Sequence, residues 1–152
     1  MAHQPGLAEA FGKLYATFWG SNELDNRTKE ITRMRNARVT DCGFWKQVRF
    51  AVAREQGLTE EHVEQIDDGY ETSMLSERDK TALQLTDAIV GDPRQVPESL
   101  QKQLRDHFSD PQIVEMSLGV GLFLALSKVL ISLGLEPEEM DIAITPTPGR
   151  AN

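Results

Sequence analysis

The chain has 152 residues, enough for one domain that buries roughly 70% of its unfolded surface without a disulfide or metal. Its net charge of -8, from 24 acidic and 16 basic residues, excludes nucleic acid and an anionic membrane surface as main partners. A single cysteine excludes an intrachain disulfide and a cysteine-rich zinc site.

The first stretch, MAHQPGLAEA, lacks a basic region followed by an apolar core, so no secretory signal is expected and a cytoplasmic protein is. A helix is predicted over GLAEAFGKLYATFW, and a second, opened by Asp25, over LDNRTKEITRMRNARV. Asp41 is placed to cap a third, CGFWKQVRFAVAREQ, and Thr59 precedes a short one, EEHVEQI. Ser76 opens SERDKTALQLTDAIV, with Asp79 three residues on as its capping-box partner. PESLQKQLRDHF gives another helix, and Asp110 with Pro111 starts the last one, which runs from Gln112 to Leu133. Gly20, Gly57, Gly91 and Gly134 follow helical segments, where glycine relieves the left-handed end of a helix. No run alternates with period two. The reading is all-α: a single-domain bundle of about seven helices and no sheet over residues 1–135, then a tail, 136–152, whose ITPTPGRAN is expected to be unstructured.

The last helix is apolar on every side from Leu118 to Leu126, LGVGLFLAL, a run too short to span a bilayer. It is either a central core helix or a subunit interface. The interface is favoured, because so small a domain cannot cover it, and Gly119 and Gly121 let another helix approach closely.

Cys42, behind the Asp41 cap, is expected in a first turn, where free N–H groups and the helix dipole favour a thiolate. Helical spacing puts Cys42, Trp45, Lys46 and Arg49 on one face. Simple packing explains the same pattern, since a lone cysteine is usually buried and inert. Glu30 lies on the preceding helix with Met34 and Ala37 on its face, and Arg49 is its expected ion-pair partner. His3, His62 and His107 lie elsewhere in the sequence, and no spacing of histidine, cysteine and carboxylate makes a metal site.

A glutamate followed twelve residues later by C-x-x-C-x-x-x-H resembles the signature of the carboxymuconolactone decarboxylase family, whose redox branch is the alkylhydroperoxidase D-like proteins. Glu30 and Cys42 match the glutamate and the first cysteine; Trp45 and Arg49 stand at the second cysteine and the histidine. The flanks LDNRTKE and GLTEE, and the later SERDKTALQLTDAI and FSDPQIVEMSLGVGLFLALSKVL, also look like the family. The resemblance implies an alkylhydroperoxidase D-like bundle that assembles as a homo-trimer or hexamer, without a cofactor.

With Trp45 for the second sulfur, a dithiol cycle cannot close within one chain, and Arg49 cannot shuttle protons at neutral pH. Three functions then compete. The first is a cofactor-free lyase or decarboxylase acting on, or a protein binding, a small organic molecule. Glu30 and Arg49 are its candidate catalytic residues, with Lys46 or Arg35 beside Arg49 to bind a carboxylate and Phe44 and Trp45 as the pocket wall; Cys42 is the catalytic candidate of the second. The second is a one-cysteine peroxidase or thiol-dependent oxidoreductase using Cys42. The third is a non-catalytic oligomer with a binding or structural role.

Overall fold

The structure, a computed structural model, describes residues 3–149, apart from the side chain of Gln95. Among these residues there are eight α-helices and one small sheet. The helices are α1 Pro5–Gly20, α2 Asn26–Val39, α3 Gly43–Gln47, α4 Ala51–Glu55, α5 Glu60–Glu64, α6 Glu77–Val90, α7 Glu98–His107 and α8 Asp110–Ser132. The two strands, β1 Val48–Phe50 and β2 Ala143–Thr145, pair in parallel with Val48 opposite Ala143 and Phe50 opposite Thr145.

Most predicted helix starts hold. Asp25 accepts from the Thr28 N–H at 2.7 Å, and Ser76 accepts from the Asp79 N–H at 3.1 Å. Two caps differ. Asp79 does not complete a capping box, because its carboxylate is held by both terminal nitrogens of Arg27. For α8 the cap is Ser109, in a reciprocal box with Gln112.

The largest departure lies at residues 41–55. One helix is predicted there; the chain instead makes α3, then β1, then α4. Asp41 does not cap it. Asp41 adopts a left-handed backbone with φ 53°, is exposed and pairs with Lys46, while Cys42 is the N-cap residue of α3. Val48, Arg49 and Phe50 extend because β2 offers them a ladder, and three backbone positions paired across a sheet replace one helical turn. The tail is therefore structured as far as it is described; residues 150–152 lie outside the described residues. Glu136 accepts from the Gly43 N–H at 2.6 Å, and the Thr147 hydroxyl accepts from the Val52 N–H at 3.0 Å.

The buried centre is α2, the most highly charged of the long helices. It packs against α6, α8, α4 and α3. Eleven of its fourteen residues are buried, including Lys29, Glu30, Arg33 and Arg35. Each of these charges has a partner, as a buried ion requires. Lys29 pairs with Glu115 of α8 and donates to the Phe18 and Ser21 carbonyls; Arg35 pairs with Asp87 of α6 and with Asp68. By contrast α8, apolar all round, has only 28% of its apolar window buried. It lies against α1 at Gly119, where a Cβ would come within 2.5 Å of the Phe18 ring. The complete helix spans 23 residues and so is long and apolar enough by length and composition to cross a membrane, unlike the shorter run within it. It is nevertheless tied to α2, since Asn36 Nδ2 donates to the Val120 carbonyl.

Candidate functional site

α2 and the α3–β1 segment bring the motif positions into one buried centre, but with different partners from those expected. Glu30 does not pair with Arg49. Its carboxylate binds Arg33, one turn on, through Nε at 2.7 Å and Nη2 at 2.8 Å, and also accepts from the Phe50 N–H at 3.1 Å. Arg33 completes its bonds on the Trp45 and Val48 carbonyls at 2.7 and 2.6 Å. Both side chains are closed off from water, at 1% and 0% exposure. The fork of Arg33 matches the carboxylate, and its remaining donors find carbonyls, so the pair satisfies the condition for a buried ion pair.

Aromatic rings enclose this pair. The Arg33 guanidinium lies 5.5 Å from the Trp45 and Phe50 ring centres and 6.0 Å from that of Phe123. Trp19 lies 4.4 Å from Phe50 and 5.8 Å from Phe123, and Trp45 meets Phe123 edge-on at 5.3 Å. Tyr15 of α1 closes the outer side, 5.8 Å from Phe123. Burial pushes its phenol up to about 12; the Arg33 charge and the Trp19 hydrogen bond oppose the rise, and Glu30 adds to it.

Arg49 sits on the far side of Met34. It is bound by Glu60 of α5 at 3.1 Å and donates to the Lys46 and Val48 carbonyls at 2.7 and 3.0 Å. The Met34 sulfur lies against both guanidiniums, and Val48 O accepts from both. Arg49 does not lie on a helical face with Cys42, because β1 ends that helix first. Lys46 turns outward to Asp41, away from any substrate wall. Phe44 and Trp45 do pack together, 4.8 Å between centres, and Trp45 is a wall of the Arg33 centre.

Cys42 is fully buried. Burial pushes its thiol up from the ordinary 9.0; the Trp45 N–H and the Ser127 hydroxyl pull it down, and the Glu136 carboxylate adds to the rise. The expected activation by a first-turn position and nearby cations is thus outweighed by a dry environment and a carboxylate supplied by the tail. No group of three or more histidine, cysteine or carboxylate side chains that could hold a metal occurs among the described residues.

Arg33, Tyr15, Trp19, Phe50, Phe123 and Glu136 were not singled out from the sequence. Arg33 carried a signal, its i,i+3 spacing from Glu30. The others come from α1, β1, α8 and the tail, and nothing local in the sequence joins them.

Comparison with known proteins agrees with this architecture. A solved Agrobacterium tumefaciens protein of unknown function, whose description proposes an AhpD role in antioxidant defence, superposes with a TM-score of 0.72 at 21% identity, covering 91% of this chain and 98% of that one. The fold is therefore alkylhydroperoxidase D-like. The uncharacterized protein YdfG of Bacillus subtilis is 25% identical over 114 residues, 74% of this chain and 78% of its own. The uncharacterized protein Rv2313c of Mycobacterium tuberculosis is 32% identical over 114 residues, but those residues span only 39% of its length. No family profile matches the chain.

Proposed function

We propose that the chain is a carboxymuconolactone decarboxylase-like protein that runs no dithiol redox cycle and whose motif positions form a closed structural centre. The observation that carries this reading is that the ionic motif groups are consumed inside the chain. Glu30 is held by Arg33 and the Phe50 N–H, and Arg49 by Glu60 and two carbonyls. A general base must reach a substrate proton, and a carboxylate in a bidentate buried pair does not. The thiol is both inaccessible and held in its neutral form, which weighs against the one-cysteine peroxidase.

The measurement that tests this is the alkylation rate of Cys42 against pH on the native protein, alongside turnover of hydrogen peroxide with an added thiol. The expected result is slow alkylation at neutral pH, a rise only above the free-thiol range, and no peroxide turnover above the buffer rate. Fast alkylation with a midpoint near pH 6 or 7, the range of activated thiolates, would overturn the reading and restore thiol chemistry (~6–7 against ~8.5 for a free thiol).

A second reading keeps a small organic molecule at the same centre. It is favoured by the Trp45 indole N–H, which is buried without a hydrogen-bond partner in a ring that packs on Arg33 and Phe123. A ligand with an acceptor oxygen would satisfy that donor. Titration with small keto and hydroxy acids, read by indole fluorescence, checks it: saturable quenching in the native protein must vanish in Trp45→Phe.

A further inference from the structure

The last turn of α2 holds a guanidinium that the fold leaves loosely tied. Arg27, Arg33, Arg35, Arg49 and Arg78, the other described guanidiniums that are not exposed, each have a carboxylate within 3.1 Å. Arg38 does not. Its Nη1 stands 3.6 Å from Asp67 and 3.4 Å from the Glu64 carbonyl, both beyond the ordinary hydrogen-bond distance of about 2.7–3.2 Å. Its Nε and Nη2 have no partner among the described residues. Burial works against the charge and Asp67 opposes that; Arg49 and Arg35 add to the burden, and Glu64 relieves it in part. The C-terminal end of a helix favours a cation, which accounts for an arginine here and not for its unused donors.

Arg38 lines a cavity of about 350 Å³, at the small end of ligand pockets, which run from roughly 300 to 1,000 Å³. The cavity shares no lining residue with the Glu30–Arg33 centre. Its charges are unevenly used. Asp87 is spent on Arg35 and Tyr70: Oδ1 accepts from Arg35 Nε at 2.6 Å, and Oδ2 from Arg35 Nη2 at 3.1 Å and the Tyr70 hydroxyl at 2.9 Å. Asp68, whose side chain is 93% exposed, gives Oδ1 to Arg35 Nη2 at 2.9 Å, and its Oδ2 has no partner among the described residues. With the Arg35–Asp87 pair set aside, one open guanidinium fork faces two exposed carboxylates, Asp67 and Asp68. A bare anion is repelled by those carboxylates, and a bare amine by the guanidinium. A molecule carrying both charges meets both needs. Its carboxylate takes Nε and Nη2 of Arg38 side by side, and its ammonium takes the unused carboxylate oxygens. Val39 and Val90 give the cavity an apolar wall for an aliphatic group.

We propose that the cavity between the end of α2, the Asp67–Asp68 loop and the end of α6 binds a small aliphatic α-amino acid as its zwitterion, with the carboxylate on Arg38 and the ammonium on Asp67 and Asp68. The site is independent of how the buried Glu30–Arg33 centre is read, and its test uses binding rather than turnover.

The test is calorimetric titration of the full chain at neutral pH with L-valine, beside 3-methylbutanoate, which lacks the ammonium, and isobutylamine, which lacks the carboxylate. Circular dichroism verifies the folding of every variant. L-valine is expected to bind with a Kd of about 1 mM or tighter, and each half-ligand roughly tenfold or more weakly, because each forfeits a charge-assisted pair. Arg38→Met is expected to weaken L-valine by a similar factor while leaving the urea midpoint near the native one, since Arg38 has no close partner to lose. Arg38→Lys, which keeps the charge without the fork, is expected to fall between the two. Asp68→Asn is expected to weaken L-valine and not 3-methylbutanoate. Should Arg38→Met not fold, Arg38→Lys and Asp68→Asn carry the comparison. No saturable binding of L-valine up to about 10 mM overturns the proposal. So does a half-ligand that binds as tightly as L-valine, which would make the cavity a plain anion or cation site, and so does L-valine binding indifferent to these variants.

Discussion

Arg33→Met is expected to lower folding stability by about 3–5 kcal/mol, because it leaves the Glu30 carboxylate charged and unpaired in a dry centre. The Trp45 and Val48 carbonyls lose their donor at the same time. Glu30→Gln alone is expected to be costly for the mirror reason, a buried guanidinium without its counter-charge. The double variant, Glu30→Gln with Arg33→Met, removes both charges and is expected to cost much less than the two single changes together. Urea unfolding of the four proteins completes the cycle. Near-additive costs would mean that the two groups act separately, and the closed structural centre would be wrong. The same cycle separates structure from chemistry: if Glu30 were a working base, Glu30→Gln would abolish a turnover while leaving the urea midpoint near the native one.

Removing the tail after Leu135 is expected to raise the alkylation rate of Cys42 at pH 8 by roughly thirtyfold. The tail supplies the Glu136 acceptor to Gly43, the Thr147 acceptor to Val52 and the β2 ladder to β1. Losing the two side-chain acceptors alone removes about 1 kcal/mol each from the closed state, and two kcal/mol changes an opening equilibrium by about thirtyfold. The Glu136 carboxylate, which raises the thiol, leaves as well. The measurement is the reaction rate with a chromogenic disulfide, on full-length and truncated chains of equal helicity. An unchanged rate would mean that α8 and the aromatic cluster cover Cys42 without the tail.

Both predictions concern residues that local patterns describe unevenly. Helix starts were legible where a side chain caps its own backbone, as at Asp25 and Ser76, because that bond spans three residues. The Asp41 cap failed because the chain turns left-handed there and Asp41 pairs with Lys46. The continuous helix from Cys42 failed because its competitor, β2, lies about ninety-five residues further on, and no local window contains it. Asp79 was read as a cap partner but serves Arg27, since a carboxylate takes a guanidinium in preference to one backbone N–H.

The candidate site was legible as a place and not as a circuit. Glu30 and Trp45 meet through Arg33, and Arg49 joins them only at the Val48 carbonyl and the Met34 sulfur. Arg49 was nevertheless matched to the wrong carboxylate. Two arginines stand within reach of this centre, and sequence spacing does not say which one faces Glu30. The i,i+3 geometry of α2 assigns Arg33 to it, and α5 then brings Glu60 to Arg49.

Taken alone, the sequence determined the all-helical class, most helix starts, the absence of a second sulfur at position 45 and the apolar character of α8. Each depends on residue type and on neighbours within a few positions. The tertiary structure decided which helix is central. The charged α2 is buried because α8, α6 and the helix α1 end supply its counter-charges and acceptors, and the apolar α8 is left largely uncovered. Hydropathy suggests the reverse order. It ranks side chains by their transfer from water one at a time, whereas a charge enters a core together with its partner, and the partner is chosen by the fold.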